Sequence, residues 1–213
     1  HNVSMDDIKN FRQMGYSTAG HPEYSEIDGI ETTTGPLGQG FATATGMALG
    51  AKMMSETFNN RDLFNATTYV LASDGCIMEG ITSEASSLAA HLNLDNLIVF
   101  YDSNDICLDG PVDECLSEDT KARYESYGWF VQTIDGHSFE MIHSAVEKAK
   151  QAKAPSLIIA KTIIGKGSPN LEGTSEVHGK AMGTDEVNIT KKVYGIPESP
   201  LFYVPESVTE FFN

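Results

Sequence analysis

Basic residues are scarce. Fourteen lysines and arginines face 30 aspartates and glutamates in 213 residues, a net charge of −16 at neutral pH. Such a balance gives no long-range attraction to nucleic acid or to an anionic membrane. A phosphorylated ligand would have to be neutralised locally, by a cation, by helix N-termini or by chosen basic side chains. Cysteine is sparse too. Cys76, Cys107 and Cys115 are odd in number and form no CxxC pair, which speaks against a disulfide framework or a zinc site and fits a reducing, cytoplasmic compartment. In that setting the N-x-S/T triplets at Asn2, Asn65 and Asn188 carry little weight. No stretch approaches the ~18 consecutive apolar residues of a membrane-spanning helix. Internal repeats and low-complexity runs are lacking, and the first residue is His1 rather than methionine. The chain reads as a piece of something longer.

What is present suits one large domain with a substantial core: 40% of residues are hydrophobic and 21% charged, ordinary values for a globular protein. Short β-rich runs recur at Thr67 to Ala72, Leu97 to Tyr101, Trp129 to Ile134 and Ser156 to Lys161. Helical patterns lie between them. One carries Ile81, Ala85, Leu88, Ala89 and Leu92 on a single face; another spans Ser138 to Lys153. Strands alternating with helices predict an α/β fold with a mainly parallel sheet. Met5 to Met14 reads as a short helix and Leu37 to Thr57 as a long one. In the latter Gly38, Ala42, Gly46 and Gly50 recur every four positions and suggest a tight helix–sheet contact.

The most informative spacing joins Asp74, in Ser73-Asp74-Gly75-Cys76-Ile77-Met78-Glu79-Gly80, to Asn104 thirty positions later. One strand–helix–strand crossover fits between them, so both residues fall at the carboxyl edge of the sheet, where ligands of open α/β sheets bind. On neighbouring strands, about 4.8 Å apart, their oxygens can share one Mg²⁺ or Ca²⁺, with a diphosphate completing the shell.

Thr32-Thr33-Thr34-Gly35-Pro36-Leu37-Gly38-Gln39-Gly40 is a loop feeding a helix, suited to close backbone approach or simply to starting the helix. Gly165-Lys166-Gly167-Ser168 fails as a Walker A tail, because Ala160 occupies the first glycine position and Gly167 the Ser/Thr position. His21, in Gly20-His21-Pro22-Glu23, and His178, in Val177-His178-Gly179, sit in glycine-flanked segments able to reach a sheet edge. Glu79 and Glu84, read alone, are a solvated helix face.

Together these strings resemble the transketolase family of thiamine diphosphate enzymes. The resemblance rests on Asp74…Asn104, on Cys-x-Met-Glu-Gly after Asp74, and on five further strings. These are NFRQ (Asn10–Gln13), GHPE (Gly20–Glu23), ETTTGPLGQG (Glu31–Gly40), IVFYD (Ile98–Asp102) and KTIIGKGSPN (Lys161–Asn170). It implies a thiamine-diphosphate-binding fold with helices on both faces of the sheet. It also implies transfer of a two-carbon ketol unit from a ketose phosphate to an aldose phosphate, as in the pentose phosphate pathway. Asp74, Asn104 and the carbonyl of Ile106 would hold the cation, and Gly75 would let the backbone lie against the diphosphate. Gly35, Pro36 and Leu37 would line the aminopyrimidine side. His178 and His21 would contact reacting sugar hydroxyls, with His178 also near the cofactor. Glu79 and Glu84 would lie near the interface of a homodimer.

Some positions depart from the family pattern. Ser73 and Asp105 stand where glycines are usual, and Ser175 where many relatives carry histidine. The resemblance divides the chain into a diphosphate- and metal-binding domain, residues 1–195, lacking its N-terminal segment, and a tail or linker, residues 196–213. The linker would lead to a pyrimidine-binding domain absent from this sequence. The chain alone would then be inactive. The competing readings are a dihydroxyacetone synthase-type relative and a non-catalytic assembly module that keeps the fold.

Overall fold

The computed structural model describes residues 2–213. The β-rich runs form β1 (Thr68–Ser73), β2 (Leu97–Ser103), β3 (Phe130–Asp135) and β4 (Ser156–Lys161). All neighbours pair in parallel, in the order β1-β2-β4-β3. Central strands covered on both faces need near-continuous apolar runs, and β2 and β4 supply them, with Leu97, Ile98, Val99, Leu157 and Ile158 all fully buried. The edge strand β1 alternates instead: Val70 and Ala72 are buried while Tyr69 and Leu71 are exposed.

Helices α2 (Gln39–Thr57), α4 (Gly80–His91) and α5 (Thr120–Tyr127) pack on one face of the sheet, around Phe41, Ala48, Ala89, Tyr124 and Trp129. Trp129 is held there by its indole N–H, which donates to the Ser86 carbonyl at 2.9 Å, and by an edge-to-face contact with Tyr124. The other face is covered by α6 (Phe139–Gln151), whose Ala145 and Ala149 meet Ile98, Ile134 and Ile158. Helices on both faces of a parallel sheet are therefore present, as expected.

Two local expectations are corrected. The buried side of α4 is Thr82, Ala85, Ser86, Ala89 and Ala90, whereas Ile81 and Leu88 are exposed. Hydroxyls tolerate that burial because they bond to nearby carbonyls: Thr82 Oγ1 donates to Cys76 O and Ser86 Oγ to Thr82 O, both at 2.7 Å. Nor does the small-residue stripe of α2 form a tight contact along its length. A β-carbon at Gly46 or Gly50 would meet nothing within 4 Å, while one at Gly38 would crowd Glu79, Ile81 and Thr82. Of these three glycines, only Gly38, at the start of α2, is closely packed.

At the N-terminus, α1 (Met5–Lys9) is shorter than expected; Ser4 and Asp7 form its capping box, and Asn10 terminates it through bonds to Asp6 O. Toward the C-terminus α7 (Thr184–Val193) and α8 (Glu206–Phe212) occupy stretches read from sequence without helices. Among the described residues no helix is long and apolar enough to cross a membrane.

Candidate cofactor site

Strand register builds the centre of the site. Ser73 pairs with Asp102 across β1 and β2, so the chain leaves both strands side by side. Asp74 then opens the short helix α3 (Asp74–Met78). Its carboxylate is 1% exposed. Oδ1 accepts from the Tyr101 hydroxyl at 2.5 Å, and Oδ2 accepts from the Asn104 backbone N–H at 3.3 Å. Asn104 Oδ1 in turn accepts from the Ile106 N–H at 3.0 Å. Asp74, Asn104 and Ile106 are thus consecutive links of one network at the carboxyl edge.

Burial raises the Asp74 carboxyl above its ordinary range, with Asp105 and Asp102 adding to the effect; the Tyr101 and Asn104 bonds oppose it. Burial and Asp74 push the Tyr101 hydroxyl up as well, so it stays protonated and donates. A cation beside Asp74 would relieve the cost of its buried charge. The donor set fits a hard ion, since Mg²⁺ typically takes one or two carboxylates together with ligand phosphates. Among the described residues no group of three or more His, Cys, Asp or Glu side chains could hold a metal. A cation here would therefore lean on amide, carbonyl and phosphate oxygens.

Distant loops also meet. Gly35, at φ +121°, has no room for a β-carbon, which would overlap the His21 ring. At Gly75 a β-carbon would sit 3.1 Å from Leu37 Cδ1. His21 therefore lies against Gly35, and Leu37 against Gly75. Pro36 is exposed, and its carbonyl accepts from Gln39 N–H at 3.2 Å, which turns the loop into α2. Glu79 and Glu84 are both exposed at the N-terminal half of α4.

His178 is set apart from the Asp74 network by its contacts. Its N–H donates to Ser175 O at 3.0 Å, and its buried Nδ1 has no hydrogen-bond partner. An orphaned buried nitrogen costs free energy until something fills its place. The loop before it is closed by Gly173 N–H to Ile164 O at 2.8 Å and clasped to α7 by Glu186. That carboxylate accepts from the Ser168 hydroxyl, from Asn170 N–H at 3.0 Å and from Asn170 Nδ2 at 2.8 Å.

These bonds, Ser168 first, hold Glu186 below the ordinary carboxylate range. A depressed folded-state pKa contributes stability above the unfolded value and loses it as pH falls through the folded one. Thermal melts should therefore show Glu186→Gln less stable than the parent at neutral pH. The gap should close as pH drops below the unfolded glutamate value of about 4.3. A gap independent of pH would refute the ionic clasp.

Two of the three unusual residues make side-chain contacts here. Asp105 adopts φ +62°, the left-handed conformation that favours glycine. Its carboxylate turns to Lys161 Nζ at 3.3 Å, and Lys161 also donates to Ser103 Oγ at 2.8 Å. Ser73 Oγ lies 3.6 Å from Cys76 Sγ. Sequence reasoning missed Tyr101, the bond between the Thr162 hydroxyl and Asp102, and His137 Nε2, which accepts from Ile163 N–H at 2.9 Å. A signal existed for Tyr101 alone: strand alternation puts it on the same face of β2 as the buried Val99 and Ser103.

A family described as transketolase, thiamine diphosphate binding domain, matches residues 1–213. The transketolase of Staphylococcus epidermidis is 50% identical over 214 residues, covering 99% of this chain and 32% of that protein. That of Bacillus subtilis is 50% identical, again covering 99% and 32%. A crystal structure of transketolase from Campylobacter jejuni superposes with a TM-score of 0.96 at 42% identity, covering 100% of this chain and 33% of that one. A Pichia stipitis transketolase in complex with sedoheptulose-7-phosphate gives 0.95 at 41%, covering 100% and 32%. The chain spans about a third of the length of these relatives.

Proposed function

Because the chain belongs to the transketolase family, matching its thiamine diphosphate binding domain, we propose that it supplies the diphosphate- and cation-binding half of a ketol-transferring active site. The observation that carries this reading is the buried Asp74 carboxylate beside Asn104 at the sheet edge. Asp74 and Asn104, with the carbonyl of Ile106, hold a Mg²⁺ or Ca²⁺ ion that screens the diphosphate from a strongly acidic chain. Gly75 leaves the backbone open to the phosphates. Gly35, Pro36 and Leu37 form the wall toward the pyrimidine, and His21 is stacked behind Gly35.

When bound, thiamine diphosphate supplies the electron sink needed to break and remake the bond next to a sugar carbonyl. The chain's own part is to bind, orient and move protons at the sugar. His178 has a buried nitrogen free for a ligand, and His21 and His178 are the imidazoles assigned to the hydroxyls of ketose and aldose phosphates. The relative solved with sedoheptulose-7-phosphate supports that substrate class.

Turnover requires a pyrimidine-binding domain, either continuing from the stretch 196–213 that follows the domain formed by residues 1–195 or brought by a partner polypeptide. A homodimer with Glu79 and Glu84 near its interface accounts for the exposed Ile81 and Leu88 on the same helix. The assembly works in the cytoplasm. Calorimetric titration of thiamine diphosphate into the 213-residue chain tests the half-site. Binding is expected with Mg²⁺ and not without it. Equal binding in both conditions, or none in either, would reject the proposal.

A further inference from the structure

Cys107 and Cys115 face each other across the loop between β2 and α5, with their Sγ atoms 3.9 Å apart. Backbone contacts on both sides hold them there. Ile106 bridges Pro111, and Cys107 N–H donates to Gly110 O at 2.8 Å. A single helical turn, Val112–Glu114, then brings the chain back, and Cys115 N–H donates to Val112 O at 3.0 Å. A disulfide bond is about 2.0 Å long, so the sulfurs need close by less than 2 Å, within reach of side-chain rotation. Cys115 is exposed and Cys107 half-buried, whereas Cys76 packs against the core beside Ser73.

We propose that Cys107 and Cys115 form an oxidisable dithiol, a modification site whose co-reactant is a low-molecular-weight disulfide and whose product is an intrachain disulfide. Exposed Cys115 attacks one sulfur of the small disulfide, whose S–S bond breaks, and one small thiol leaves with the Cys115 proton. Cys107 sulfur then attacks that of Cys115, expelling the second small thiol with the Cys107 proton. Two cysteine thiols are oxidised and one small disulfide is reduced to two thiols. Cys115 is exposed and Cys107 half-buried, which leaves the first attack to Cys115. Asp109, Asp113 and Glu114 in the same loop make a cationic disulfide the suitable reagent.

The test equilibrates the native 213-residue chain with cystamine, then alkylates it with iodoacetamide in denaturant before mass spectrometry. The reduced control should carry three adducts, one for each cysteine. The treated chain should carry one, on Cys76, and weigh two hydrogens less before alkylation. Cys107→Ser should instead retain cysteamine as a mixed disulfide on Cys115. Three adducts after treatment, persistent cysteamine on the parent chain, or any bond that includes Cys76 would overturn the proposal.

Discussion

Replacing Asp74 with Asn should weaken Mg²⁺-dependent binding of thiamine diphosphate by at least about 100-fold, the upper end of what losing even a supporting partner of a metal ligand costs. Asparagine keeps the shape, with one oxygen able to accept from the Asn104 N–H and an amide N–H able to donate to the Tyr101 hydroxyl, so the network around β2 stays recognisable. What it loses is the negative charge, and with it the hard anionic oxygen that a divalent cation prefers. The same substitution makes a second, opposite prediction. Burial raises the Asp74 carboxyl, so ionisation at neutral pH works against the folded, ligand-free chain. A raised folded-state pKa means stability is lost as pH climbs through it. Asp74→Asn removes that titration, and its melting temperature without ligand should equal or exceed the parent's at neutral pH. Calorimetry and thermal melts, each run with and without Mg²⁺, check both parts. Binding within a few-fold of the parent would take Asp74 out of the site.

Gly38→Ala should destabilise the chain by about 2–5 kcal/mol. Left-handed backbone costs an L-residue ~1–2 kcal/mol, and forcing a methyl into a packed contact costs ~1–3 kcal/mol more. Gly38 meets both conditions. Its φ is +76°, and a β-carbon would stand 2.8 Å from Glu79 Cβ, 2.8 Å from Ile81 Cγ2 and 2.9 Å from Thr82 Oγ1. Those atoms open α4, so the only relief is to part α2 from α4 at the end nearest the cofactor loop. Gly46→Ala is the control from the same stripe. Its β-carbon would enter open space, and replacing a helix-interior glycine by alanine gains roughly 0.5–1 kcal/mol. Urea unfolding should move the two midpoints in opposite directions. Equal shifts would mean that packing at Gly38 is looser than described.

Much of the fold follows from local pattern. LIVFY and SLIIA could hardly be anything but central strands, and one crossover between Asp74 and Asn104 leaves them few places to go except side by side. The pattern failed where polarity and burial part company. Thr82 and Ser86 face the core because their hydroxyls donate to nearby carbonyls, Thr82 to Cys76 in the preceding helix and Ser86 to Thr82 one turn back, a cancellation that hydropathy does not register. It failed again at α7, whose acidic first turn and basic last turn, Asp185 and Glu186 then Lys191 and Lys192, were the available helix signal. Contacts made by tertiary folding left no trace at all. Nothing in spacing says that His21 rests on Gly35, or that cysteines eight positions apart will face each other across a bridge.

The only tryptophan of the chain is Trp129, whose indole is bonded to α4 and wedged against Tyr124. Tryptophan emission is consequently a report from one layer. Its emission follows the packing of α2, α4 and α5. A ligand that orders only the cofactor loops will leave the spectrum where it was. A spectral shift on adding one would mean that motion at the sheet edge had travelled down α4 to reach the ring.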